Sequence, residues 1–301
     1  MLHLQEFYPI KLQPSIMKNN KLLIFFFKTS RPKFWSYLFG TFLFGFFAGL
    51  QEPNPSVLFD WRFIILLLFF IFPANLFVYG VNDLADEDTD KFNPKKGKQE
   101  NLLEKSLRKH LFYGVLFVVI LSLIISYIIP HIAVWLIAFM LLGGAYSLPP
   151  ARFKKRPIID SVSNIFYAFP GIIGFLINTP TLPNWEILPI MFIFPVAMHL
   201  YSAIPDISAD KAAGLRTTAV LLGKNISLIL CNLMWLFAFL WILKSGYLFP
   251  FSLILIVYPA LPLLNLNVKK FDINKTYWYF PYINFVIGFI FSIIFVINLY
   301  K

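Results

Sequence analysis

The sequence predicts an all-α polytopic membrane protein: a bundle of nine transmembrane helices with a cytoplasmic N-terminus. Three observations carry that expectation. The 301 residues are 58% hydrophobic and only 14% charged, where a soluble domain carries about 25% charged residues; the mean hydropathy is +0.71. Nine segments approach the roughly 20 mostly apolar residues that a helix needs to cross a bilayer. The basic residues fall almost entirely into alternate connections between those segments.

In chain order, residues 1–30 interleave lysines with Phe and Leu. They read as a basic amphipathic helix on an anionic membrane surface or as a disordered tail. The apolar run Leu22 to Phe27 is six residues, shorter than the core of a signal peptide. Residues 31–301 form the nine-helix domain. Its spans run roughly over 34–50, 61–82, 110–129, 131–147, 159–178, 187–205, 226–244, 248–265 and 278–300. Short turns at Pro130-His131 and Ser245-Gly246 join antiparallel neighbours.

The connections set the orientation. Of 26 Lys and Arg, 23 lie in the N-terminal segment and in the loops after spans 2, 4, 6 and 8, leaving Arg62, Lys244 and Lys301 for the opposite face. Positive charge concentrates on the cytoplasmic side of membrane proteins, so the N-terminus reads as cytoplasmic and the C-terminus as outside. The net charge of +11 is explained by topology, and no nucleic-acid partner is expected. The single Cys231, within an apolar run, excludes an internal disulfide framework.

The acids are concentrated. Asp83, Asp86, Glu87, Asp88 and Asp90 fall within eight positions at the end of span 2. A helix continued at about 100° per residue puts Asp83, Asp86 and Asp90 within roughly 60° of one another, with Asn82 one turn from Asp86. Like charges on one helical face repel, so a cation should resolve them. Asp206 and Asp210, spaced i, i+4, end span 6 on the same membrane side. Such hard oxygen ligands suit Mg²⁺, which binds through one or two carboxylates and shares substrate phosphates. Lysines and arginines follow each cluster, as a site for a phosphorylated leaving group needs. A solvated charge run is the plain alternative. A calcium loop fails, because Lys91 and Gly97 stand where it needs Gly and Glu. His199 reads as a packed or hydrogen-bonded histidine rather than a ligand.

These residues resemble a known family. Asn82-Asp83-x-x-Asp86-x-x-x-Asp90 is similar to the first signature of the UbiA superfamily of intramembrane prenyltransferases. Asp206-x-x-x-Asp210 with Lys211, Gly214 and Arg216-Thr217-Thr218-Ala219 resembles the second. Tyr146-Ser147-Leu148-Pro149-Pro150 through Arg152, Lys154 and Arg156 to Asp160-Ser161 resembles the loop between them, and Ser30-Arg31-Pro32 with Trp35 the entry to the first helix. The resemblance implies a Mg²⁺-dependent prenyltransferase. Asn82, Asp83, Asp86, Asp90, Asp206 and Asp210 would hold the metal and through it an isoprenyl diphosphate. Arg31, Lys95, Lys154 and Lys211 would contact the diphosphate, and Tyr146 and Tyr201 would lie beside the reacting carbon. Asn93-Pro94-Lys95-Lys96-Gly97, the Arg152 to Pro157 loop and Ile204-Pro205-Asp206 look most like the carotenoid branch, whose lycopene elongases add five-carbon units to a C40 carotene. A quinone-ring prenyltransferase and a geranylgeranylglycerol-phosphate type or other polyprenyl transferase are the alternative acceptor classes. A transporter is the non-enzyme alternative, and it would need ionisable groups at mid-membrane, which most spans lack. The acceptor and the oligomeric state are not legible.

Overall fold

The computed structural model describes residues 14–52, 54–86, 103–184, 187–246 and 249–299, all helical or loop, with no strand among them. Fourteen α-helices follow in order. They are α1 (Pro14–Thr29), α2 (Ser36–Ala48), α3 (Trp61–Ile71), α4 (Pro73–Ala85), α5 (Arg108–Ile128), α6 (Ala133–Ser147), α7 (Ile159–Val162), α8 (Phe169–Asn178), α9 (Leu188–Ala203), α10 (Ile207–Ala212), α11 (Thr218–Ser245), α12 (Val257–Asn267), α13 (Ile273–Thr276) and α14 (Phe280–Leu299). Counting adjoining helices together, seven stretches are long and apolar enough to cross a membrane: 61–85, 105–128, 130–147, 159–178, 188–212, 218–245 and 273–297. Two shorter apolar helices, Ser36–Ala48 and Phe251–Asn267, fall where the first and eighth spans are expected. The chain is an integral membrane protein.

Local chemistry sets the breaks. Asp60 caps α3, its carboxylate accepting from the Arg62 backbone N–H at 2.8 Å. Pro73 opens α4 at its first position, where the missing N–H costs nothing, and Phe72 at φ −119 bends the path. The carboxamide of buried Asn75 donates to the carbonyls of Phe70 (2.8 Å) and Ile71 (3.0 Å), groups that would be costly to leave bare in lipid. Gly223, at φ 74, splits α11 near its start.

Two cores result. In the first, phenyl rings of α2, α3, α6 and the 163–168 turn interlock, with Phe46–Phe63 centroids at 4.3 Å, Phe42–Phe70 at 5.4 Å and Phe139–Phe166 at 5.7 Å. The helices α2 and α8 pack backbone to backbone, since a Cβ on Gly45 would stand 1.8 Å from the Gly171 carbonyl oxygen and one on Gly174 2.3 Å from that of Phe42. In the second core, Tyr201 (α9), Trp235 (α11), Tyr258 (α12) and Phe280 (α14) stack around one another at 5.4–5.8 Å. The outward faces of α5 (Phe117, Leu123, Tyr127) and α14 (Phe285, Phe289, Ile293) are exposed and apolar, the surface a lipid bilayer covers.

One expectation is corrected. The helix of span 2 does not run on through its acids: it ends at Ala85, and Asp86 leaves it at φ −108, ψ 10. The carbonyls of Leu84 and Ala85 are taken by the guanidinium groups of Arg108 (3.3 Å) and Arg152 (3.1 Å), which satisfy the helix end from elsewhere in the chain. Asp83, on the helix, and Asp86, past its end, therefore do not share the single helical face expected of them, and Asp90 lies outside the described residues.

Candidate active site

Both acid motifs reach one cavity of about 280 Å³. Asn82 of α4 and Asp86 at its end line it, as do Asp206 and Asp210, which flank and belong to α10. Arg31, Lys154 and Tyr146 join them, so residues 206 and 31, far apart in the chain, share one lining. Of the other expected site residues, Asp90 and Lys95 lie outside the described residues. Lys211 is exposed and not part of the lining.

The cations come from strained turns. Arg31 sits in the left-handed region at φ 51 between α1 and Pro32, a costly conformation for a side-chain-bearing residue. The Trp35 indole N–H ties the turn by donating to the Ser30 carbonyl at 3.1 Å. The Arg31 guanidinium then lies 3.1 Å from an Asp83 carboxylate oxygen and 4.6 Å from the centre of the Tyr79 ring. Asp83 is buried and outside the cavity lining, so its observed contact aims Arg31. Arg152, left-handed at φ 41, starts the turn that carries Lys154. The Lys154 ammonium pairs with Asp86, and Arg152 stands 3.7 Å from the same carboxylate. Lys154 and Asp86 are both buried. On the other acid, the Thr217 hydroxyl, which also caps α11, donates to Asp210 at 3.1 Å.

Tyr201 is elsewhere. It is fully buried in the second core, and its hydroxyl donates to Asn265 at 2.7 Å and lies 3.1 Å from the Thr276 hydroxyl. The tyrosines that do line the cavity are Tyr37, Tyr79, Tyr146, Tyr167 and Tyr277. Tyr79 lies three residues before Asn82 and seven before Asp86, on their helical face, a spacing that could have found it. His199 also lines the cavity, edge-on to Tyr146 with centroids 5.6 Å apart. Sequence reasoning likewise passed over what Asp160 does. It is wholly buried and accepts from the Thr218 backbone N–H (2.8 Å) at the start of α11 and from the Thr218 hydroxyl. That hydroxyl accepts in turn from the N–H of Ile158 (2.6 Å), which is held at φ 71.

A second cavity, of about 240 Å³, adjoins the first and shares Tyr37, Tyr167, Pro195 and Met198 with it. Its other walls are mostly apolar and come from α2, α9, α11, α14 and the segment 252–258.

The model of the UbiA prenyltransferase family matches residues 34–285, the stretch that supplies most of the lining of both cavities. The chain belongs to that family. The lycopene elongase/hydratase of Haloarcula japonica is 36% identical over 286 residues, covering 94% of this chain and 95% of that protein. The lycopene elongase/hydratase of Halobacterium salinarum is 32% identical, covering 89% and 96%. Among solved structures, a UbiA homolog from Archaeoglobus fulgidus bound to DMAPP and Mg²⁺ overlays with a TM-score of 0.65 at 21% identity, over 90% of this chain and 98% of that one, a likeness of fold. The protein is therefore a UbiA-type prenyltransferase of the carotenoid branch, and its reaction is isoprenyl transfer.

Membership puts a metal in question, and the donor set can be tested for it. Among the described residues no three His, Cys, Asp or Glu side chains form one cluster. The donors come instead as Asn82 with Asp86 and Asp206 with Asp210 around one cavity. Pairs of hard oxygens, with coordination completed by phosphate oxygens and water, are what Mg²⁺ accepts, so the residues fit.

Proposed function

We propose that this chain transfers the isoprenyl group of an allylic diphosphate to a linear carotene such as lycopene, with Mg²⁺ as cofactor. The observation that carries this is the junction of the two cavities: a charged one with acids and cations, opening onto an apolar one through four shared residues. Asn82, Asp86, Asp206 and Asp210 would hold Mg²⁺, with Asp83 nearby and Asp90 as a further ligand from the same motif. When bound, Mg²⁺ supplies neutralising charge for the diphosphate.

Arg31 and Lys154 bind the diphosphate oxygens; Lys211, on α10 outside the lining, would have to swing in to add a further contact, and Lys95 is a further candidate from the sequence motif. The allylic C–O bond breaks and its electron pair leaves with the diphosphate, whose growing charge these fixed cations meet. Tyr79, Tyr146 and Tyr167 line the cavity, where an electron-rich ring face would steady an allylic cation. Apolar walls keep water from quenching it. An alkene carbon of the acceptor, seated in the second cavity, supplies the electrons of the new C–C bond, and a proton is then lost to the cavity or water adds.

The finer topology belongs to the same reading. The two short apolar helices complete nine crossings, and the basic loops put the N-terminus and the active site at the cytoplasmic face of a prokaryotic plasma membrane. Expression in cells that make lycopene, with pigments identified by mass, tests the acceptor. A gain of C5 units that disappears in Asp86→Ala and Asp206→Ala supports the reading; unchanged lycopene sinks it in favour of a quinone-ring acceptor.

A further inference from the structure

The glycines within α2, α8 and α14 fall into two kinds. Gly45, Gly171 and Gly174 let backbones touch, and a Cβ there would collide with a neighbouring carbonyl or side chain. Gly40 of α2 and Gly288 of α14 are different: a Cβ at either meets nothing within 4 Å, and both line the apolar cavity. Nothing in the protein's own packing calls for glycine there. Alanine would improve each helix, because glycine loses more backbone freedom on folding.

The surroundings show what the two glycines leave open. One turn along α2 from Gly40, Phe44 meets Phe291 and Phe295 of α14, with centroids 6.1 and 5.8 Å apart, and Phe47 stacks on Phe295 at 5.6 Å. Phe291 is itself one turn from Gly288. The two helices thus close on each other through phenyl rings at one level and leave room at the glycines, one turn nearer the charged cavity. Tyr37, one turn from Gly40 on the other side, belongs to both cavities.

We propose that Gly40 and Gly288 are specificity-determining residues that keep a slot between α2 and α14 clear for a rigid, conjugated hydrocarbon chain. This rests on the carotene reading above and assigns residues to acceptor choice. A flexible saturated chain bends around an added side chain by rotating about its single bonds. A conjugated chain is locked flat by its alternating double bonds and cannot. Side chains at positions 40 and 288 therefore discriminate against conjugated acceptors before they discriminate against saturated ones.

The test uses the full chain purified in detergent, with Gly40→Leu, Gly288→Leu and the milder Gly40→Ala and Gly288→Ala. Neither position lines the charged cavity, so the midpoint shift produced by isoprenyl diphosphate with Mg²⁺ stays that of the parent. Retention of lycopene, read from its visible absorption, falls by about tenfold or more in the leucine variants, the scale of a misfitting side chain in an apolar pocket. Retention of its fully saturated C40 analogue changes little. Equal loss of both hydrocarbons, or loss of neither, overturns the proposal. If a leucine variant misfolds, the alanine pair decides by the same two readouts. A parent that retains lycopene but adds no C5 unit to it refutes the transfer reading and leaves the slot standing.

Discussion

Lys154→Met removes one charge from the buried cluster at the end of α4. Lys154 and Asp86 are 8% and 6% exposed, so the carboxylate has little water to fall back on. Removing one partner of a buried ion pair costs about 3–5 kcal/mol, because the remaining charge is left uncompensated. Arg152, 3.7 Å from the same carboxylate, stays in place and keeps the loss near the lower end, about 3 kcal/mol. For a chain of this size about 1 kcal/mol corresponds to roughly 2 °C, so the unfolding midpoint drops by about 6 °C. The seven tryptophans provide the signal in a detergent melt. The proposed role of Asp86 as a metal ligand adds a second arm. Lys154 and Mg²⁺ offer positive charge to the same carboxylate, so the variant gains more from added Mg²⁺ than the parent, and the gap narrows. At saturation the gap narrows by RT ln of the ratio of the two affinities, about 1.4 kcal/mol if the variant binds Mg²⁺ tenfold more tightly than the parent. A variant that melts with the parent in the absence of Mg²⁺ would refute the ion-pair argument. A gap that persists unchanged at saturating Mg²⁺ would remove Asp86 from the ligand set.

Three further substitutions probe other supports. Tyr201→Phe strands Asn265 and Thr276 in the second core, costing about 1–3 kcal/mol in a denaturation assay, while isoprenyl transfer per folded molecule stays that of the parent; a large loss of turnover without destabilisation would put Tyr201 back beside the reaction. Asp160→Asn places an amide where the N–H and hydroxyl of Thr218 donate and removes a charge from the α11 N-terminus, a loss of about 2–4 kcal/mol in the same assay; an unshifted midpoint would show that the clamp contributes nothing. The Arg62 side chain, donating to Asp60, holds that carboxyl below its ordinary 3.8. A group depressed on folding adds stability above its unfolded pKa and loses it as pH falls through the folded one, so the parent midpoint declines below about pH 4 more than that of Asp60→Asn; parallel declines would contradict this.

Seven spans were legible because lipid demands long apolar runs, and the one expected over 61–82 falls within the observed stretch 61–85. Asn82, Asp86, Asp206 and Asp210, which line one cavity, stood out in the sequence as polar groups at the ends of apolar helices. What escaped was set by distant partners. The stop at Ala85 depends on Arg152, 67 positions away in sequence, taking its carbonyl, and no local breaker announces it. Asp83 sits in the same motif as Asp86, but Arg31, 52 positions earlier, takes it. Tyr201 and Tyr79 are alike on paper; one meets Asn265 and Thr276 inside a core and the other faces the cavity. Helical spacing was available for Tyr79, whereas the fate of Tyr201 depends on α12 and α13.

The three described non-glycine residues at positive φ, Arg31, Arg152 and Ile158, all lie in turns that serve this end of the bundle. Such conformations cost about 1–3 kcal/mol each and persist only where their surroundings over-determine them. Each here has a long-range tie: Arg31 to Asp83, Arg152 to the Ala85 carbonyl, and Ile158 through Thr218 to Asp160. A flexible lysine in a solvated loop could neutralise a diphosphate at no such cost, but it would have to reorganise, and let water in, as charge develops on the leaving group. Cations fixed beforehand meet that charge where it appears. The strain is thus concentrated where preorganisation matters and is absent from the described non-glycine residues of the apolar slot, which has only to be dry and wide enough.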